Sequence, residues 1–116
     1  MKIEGTALLV RIYLGESDQW HGRPLYQAIV EKARERGLAG ATVLRGIEGF
    51  GAKAHLHTSR ILRLSEDLPV LIEIVDAEDR LREALPELDA MVGDGLITVE
   101  KVEVYAHRST NSDAQA

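Results

Sequence analysis

The chain contains no cysteine. That excludes a disulfide scaffold, a thiolate metal site and a cysteine nucleophile, and it fits a reducing compartment. Aromatic residues are nearly as scarce: one Phe, one Trp and three Tyr among 116 residues. The core must therefore be aliphatic, built from Leu, Ile, Val and Ala. No apolar run approaches the roughly 20 residues that a membrane-spanning helix needs. The opening residues Met1-Lys2-Ile3-Glu4-Gly5 lack the apolar stretch of a signal peptide. Positive charge is in deficit, with 14 Lys and Arg against 19 Asp and Glu and a formal net charge of −5. A general nucleic-acid or anionic-membrane binder would carry the opposite sign, so no nucleic-acid partner is expected. A soluble, cytoplasmic protein is the expectation.

What is present is the composition of one globular domain, 45% hydrophobic and 28% charged. Residues 1–108 are read as that domain and residues 109–116, small and polar, as a flexible C-terminal tail. Ala7 to Leu14 is almost continuously apolar and predicts a strand covered on both faces, ended by Gly15. Glu16 to His21 reads as a polar loop. Pro24 suits the first turn of a helix, along which Leu25, Ala28, Ile29 and Ala33 form one apolar stripe up to the stop at Gly37.

Thr42-Val43-Leu44 opens a second strand running toward Gly46 and Phe50. Gly46, Gly49 and Gly51 suggest a bulge or a close backbone approach. Ala52 to Ser59 shows no period and reads as a long loop, with a short strand at Ile61–Leu64. Val70 to Val75 predicts another strand, again nearly all apolar. Asp76 then reads as an N-cap, and Leu81, Leu85, Leu88 and Val92 as the buried face of a second helix, with a kink or restart at Pro86. Ile97 and Val99 alternate in one phase, Val102 and Val104 in the other, which predicts a bulge near Glu100-Lys101.

The order is βαββαβ, and the fold class is α+β: a ferredoxin-like four-stranded antiparallel sheet with two helices on one face. The other face then has no helix over it. Because two strands are apolar on both faces, an oligomer is expected to cover it.

Several residues are candidates for chemistry. Between Arg45 and Arg63 stand four cations, Arg45, Lys53, Arg60 and Arg63, against Glu48 alone, with His55 and His57 beside them. Next to glycines such a cluster reads either as a loop that folds around a small phosphorylated ligand or as solvated surface. His55 and His57 could also ligate Zn²⁺ or Cu²⁺, which makes a metal-binding trimer the alternative reading. Glu73, a lone charge in an apolar strand, should face a cleft or a cation, or else point to solvent at the sheet edge. Gly93-Asp94-Gly95 reads as a helix-ending turn in which glycine supplies positive φ. No nucleophile–base pair or carboxylate constellation stands out, so a non-enzymatic protein is expected.

Three blocks resemble PII signalling proteins: Gly40-Ala41-Thr42-Val43 with Gly49-Phe50-Gly51, Leu71-Ile72-Glu73-Ile74-Val75, and Gly93-Asp94-Gly95-Leu96-Ile97. Gly22-Arg23-Pro24-Leu25-Tyr26 and the run from Gly37 to Gly51 resemble the signature of an uncharacterised PII-like family called DUF190. The resemblance implies a PII-like homotrimer whose sheets close into a central barrel. It implies clefts between subunits that hold an adenine nucleotide as effector ligand, with no cofactor. It also implies that the 51–68 loop presents a surface to a target protein, a membrane transporter being one candidate. Carried over by position, Thr42, Gly49, Gly51, Glu73, Gly93 and Gly95 match residues near the nucleotide. The chain departs from the pattern at Leu96, where PII proteins have lysine, at Ala52-Lys53, and at His107-Arg108-Ser109 in place of paired arginines. Lys53, Arg60 and Arg108 are the cations that could substitute.

Overall fold

In the computed structural model, residue 3, residues 5–51 and residues 67–109 are described. The basic histidine-bearing segment, the expected Ile61–Leu64 strand and nearly all of the expected tail lie outside these residues. Among the described residues eight elements follow one another: β1 (Gly5–Gly15), β2 (Gln19–Trp20), β3 (Arg23–Pro24), α1 (Leu25–Glu35), β4 (Thr42–Arg45), β5 (Pro69–Asp76), α2 (Glu78–Met91) and β6 (Leu96–Val104). Apart from the two-residue strands β2 and β3, this is the expected βαββαβ order.

The main sheet has the order β4-β5-β1-β6, and each neighbouring pair is antiparallel. The two most apolar strands, β1 and β5, take the centre. There each has a hydrogen-bonded neighbour on both sides, which suits their β-branched and aliphatic residues. Strands β4 and β6 are the edges. Alternate residues of the central strands face the helices: Leu8, Val10, Ile12 and Leu14 from β1, and Val70, Ile72 and Ile74 from β5, all buried. They pack against Leu25, Ala28, Ile29 and Ala33 of α1 and Leu81, Leu88 and Met91 of α2. Each of the Val, Leu, Ile and Met side chains contributes about 1.5–3 kcal/mol by leaving water, and each alanine about 1 kcal/mol or less.

The stripe expected on α1 is the stripe that is buried. The helix ends in a Schellman arrangement: the Leu38 N–H donates to the Ala33 carbonyl at 3.0 Å, and the Gly37 N–H to that of Arg34 at 3.0 Å. On α2, Ala84 and Met91 join the buried face, while Leu85 and Val92 lie partly buried beside it. The helix runs unbroken through Pro86, so no restart occurs there.

Three further expectations are corrected. The segment read as a polar loop contains a small hairpin, in which β2 and β3 pair around His21-Gly22, both with positive φ. Trp20 and His21 stack there with ring centroids 4.3 Å apart. The N-cap of α2 is Ala77, and Asp76 is the last residue of β5. Fully buried, Asp76 accepts hydrogen bonds from the Ala39 N–H (2.8 Å), the Ala77 N–H (2.6 Å) and Arg80 Nε (3.2 Å). It thereby ties the α1–β4 connection to the start of α2. Finally, β6 carries no bulge. Its pairing with β1 is unbroken from Gly5↔Val104 to Tyr13↔Leu96. The phase change has another cause: Ile97 and Val99 face the helix side, whereas Val102 and Val104 face the uncovered side, which is also partly apolar.

Candidate functional site

The candidate glycines lie at one end of the sheet, where β4 finishes, β5 begins and β6 enters, and Thr42 and Glu73 stand further along β4 and β5. At the β4 edge the Gly46 N–H donates to the Pro69 carbonyl at 2.7 Å. A Cβ on Gly46 would stand 2.8 Å from Pro69 Cγ, so the close backbone approach expected at this glycine cluster is present. Beyond it Ile47 and Phe50 are 86% and 76% exposed, and among the described residues nothing lies within 4 Å of a Cβ placed on Gly51. Arg45 pairs with Glu16 of the β1–β2 turn, while the Ser17 N–H donates to Asp67 Oδ1 at 2.8 Å. Both sides of the 51–68 segment are thus fastened to the end of β1.

Thr42 stands directly opposite Glu73 in the β4–β5 register, and Glu73 opposite Arg11 in the β5–β1 register. Paired residues share a face, so these three form a row across the side of the sheet away from the helices. Thr98 of β6, opposite Arg11, completes the row. Arg11 Nε donates to Glu73 Oε2 at 3.0 Å, and Arg11 Nη1 to Glu100 Oε1 at 2.7 Å. The hydrogen bond donated to Glu73, then that donated to Glu100, holds the guanidinium proton more tightly than usual, against an opposing effect of partial burial. Of the options open for Glu73, facing a cation is the one observed. Its strand is central, not an edge.

The Gly93–Gly95 turn lies on the far side of the sheet, where α2 leads into the β6 edge. Neither glycine has positive φ. Gly95 is required for a different reason. A Cβ there would stand 2.8 Å from the Tyr13 carbonyl oxygen and 2.8 Å from Val92 Cγ1. Gly93 has open space around it.

The structure therefore brings Thr42 and Glu73 together, with Gly49 and Gly51 just beyond the same edge strand. Gly93 and Gly95 sit at the same end of the sheet but at the opposite edge. Three strand spacings separate the edges, about 14 Å. Arg108 is not brought to either group: it follows the end of β6 at Val104, which pairs with Gly5 at the other end of β1. Next to it, the His107 Nδ1 is buried without a hydrogen-bond partner among the described residues. Lys53, His55, His57, Arg60 and Arg63 lie outside the described residues. Among the described residues no group of three His, Cys, Asp or Glu is placed to hold a metal ion. No helix among them is long and apolar enough to cross a membrane.

Sequence reasoning missed Arg11 and the role of Glu100. A signal existed: Arg11, like Glu73, is a single charge inside an apolar strand, and two such charges of opposite sign invite pairing.

The DUF190 family, described as uncharacterized ACR, matches residues 7–104. A UPF0166 protein of Aquifex aeolicus is 41% identical over 96 residues, covering 83% of this chain and 90% of that protein. A UPF0166 protein of Methanocaldococcus jannaschii is 38% identical over 100 residues, covering 85% and 92%. Among solved structures the fold is similar to CPII from Thiomonas intermedia, bound to ADP, AMP and acetate, with a TM-score of 0.62 and 14% identity over 86% of this chain and 89% of that one. A protein from Thermus thermophilus described as PII-like gives a TM-score of 0.62 and 19% identity over 86% and 90%. At such identities the likeness establishes a PII-like fold.

Proposed function

Because this chain belongs to the DUF190 family and has a PII-like fold, we propose that it is a homotrimeric, non-enzymatic sensor that binds an adenine nucleotide between its subunits. One observation carries this reading: at the same end of the sheet Gly49 and Gly51 follow the β4 edge strand, with Thr42 and Glu73 on that side, while Gly93 and Gly95 precede the β6 edge strand. Within one copy they lie too far apart to hold one small molecule. They can meet where the β4 edge of one copy approaches the β6 edge of the next.

In such a cleft the backbone around Gly49 and Gly51 and the Gly93–Gly95 turn let N–H groups approach phosphate oxygens. Thr42 and Glu73 supply a hydroxyl and a carboxylate as hydrogen-bonding groups for the nucleoside. With Leu96 where PII proteins have lysine and Arg108 beyond the opposite end of β6, cations are few, and Lys53 is the one assigned to phosphate. This favours AMP or ADP over ATP. CPII, of similar fold, is bound to ADP and AMP in its solved structure, which supports the same ligand class. Ligand binding would act on a target protein, a membrane transporter being one candidate, by favouring one arrangement of the 51–68 segment over another.

Calorimetric titration of the full chain with AMP, ADP, ATP and cyclic AMP tests the proposal. The expected result is saturable heat with AMP or ADP, at an affinity of about 100 μM or tighter. Absence of heat with all four would overturn the nucleotide reading.

A further inference from the structure

The sheet face away from the helices is not uniformly apolar. Leu44, Tyr13 and Leu96 lie along one cross-strand row and are 47%, 39% and 55% exposed. Leu9 and Val75, paired with each other, lie on the far side of the charged row. Between these two bands sit Arg11 and Glu73, and Glu100 stands opposite Leu9 at the β6 end of the second band; their side chains are 34%, 33% and 55% exposed.

The three charges do not satisfy one another. Arginine has five N–H donors, and only the Nε and one Nη1 donor are used here. Among the described residues its Nη2 donates to no protein group, and Glu73 Oε1 and Glu100 Oε2 accept from none. The group carries two carboxylates to one guanidinium. In water that surplus is harmless. Covered by an apolar surface it would be costly, because a buried charge without a partner destabilises strongly. A partner for this face must therefore bring apolar surface on both sides and both a donor and an acceptor in the middle. A second copy of the same face carries that set.

We propose that Arg11, Glu73 and Glu100 form the polar register of a contact between copies of this chain, the free guanidinium edge of one copy donating to the free Glu100 carboxylate of the next. A contact of this head-to-tail kind closes into a ring when the rotation between copies permits. The apolar bands supply area, and the charged row fixes how far one sheet slides against the next. This inference rests on the homotrimer reading above and names the residues that would specify it.

The test is native mass spectrometry of the full chain across concentration, for the wild type, Arg11→Met and the triple variant Arg11→Met, Glu73→Gln, Glu100→Gln. The wild type is expected to be trimeric at pH 7.5. Arg11→Met leaves two unpaired carboxylates per copy, so its assembly should need at least about 100-fold more protein at that pH. The triple variant has no surplus charge and should assemble at wild-type concentrations. Far-UV circular dichroism of dissociated Arg11→Met should show a native fold. If that variant does not fold, Glu100→Gln replaces it and should weaken assembly several-fold. A wild-type dissociation constant for Arg11→Met, or for Glu100→Gln in its place, would overturn the register while leaving the trimer standing. A monomeric wild type would overturn both.

Discussion

The two faces of the sheet are built from the same strands yet follow different rules. On the helix side, Val10 and Ile12 of β1 and Ile72 and Ile74 of β5 are sealed by α1 and α2. On the other side their immediate neighbours Arg11, Tyr13, Leu71 and Glu73 are exposed or half-buried. Strand periodicity makes every second residue belong to a different environment. One face completes itself within the chain. The other is apolar enough to favour cover and charged enough to constrain what can cover it.

Adjacent substitutions on one strand separate these roles most sharply. Ile72 is fully buried and Leu71 beside it points to the open face. Ile72→Ala should cost the folded subunit about 2–5 kcal/mol in urea unfolding, as for other large-to-small changes in a packed core. Leu71→Ala should cost the dissociated subunit less than about 1 kcal/mol. Equal losses in the two variants would show that the open face is already packed within one copy.

The next contrast lies at the end of the sheet, where both faces close. Gly95→Ala must push a methyl group against the Tyr13 carbonyl and Val92. A loss of about 1–3 kcal/mol is expected in thermal or urea unfolding, as for overpacking elsewhere. Gly93→Ala, with open space around it, should be nearly neutral. A tolerated alanine at 95 would remove the close-approach explanation for that glycine.

The smallest effect belongs to the outer surface of the helix layer, where Lys32 of α1 lies 3.3 Å from Glu87 of α2 and 3.4 Å from Glu35. Chiefly through Glu87, these carboxylates raise the Lys32 pKa above its ordinary 10.5. A raised folded-state value stabilises below the ordinary value, and the contribution is lost as pH rises through the folded one. The gap in unfolding midpoint between wild type and Lys32→Met should therefore be constant from pH 7 to 9 and close above the ordinary value. A gap unchanged at high pH would assign it to packing of the lysine stem.

Local pattern carried much of the fold. The α1 stripe of Leu25, Ala28, Ile29 and Ala33 was legible because helical period and burial coincide there. The strands and their order were legible from apolar runs bounded by glycine and proline. Periodicity misled at β6, where Val102 and Val104 mimic a register slip because the open face also accepts apolar residues. The capping rule misplaced Asp76, whose carboxylate serves the α1–β4 connection 37 residues away as well as its own helix. The candidate site was legible as residue types around Gly46, Glu73 and Gly93. Their division between opposite edges was not, since nothing local states which strand lies where.

The order of residues was enough to place the four strands of the main sheet and the two helices, to show how one face of each is apolar, and to show that charge is sparse where strands are apolar. Those features depend on neighbours a few positions apart. That Arg11 would meet Glu73 and Glu100, 62 and 89 residues along the chain, and that Gly95 would press on Tyr13, came from folding alone. Strand order sets those meetings, and it emerges from packing the whole sheet against two helices at once.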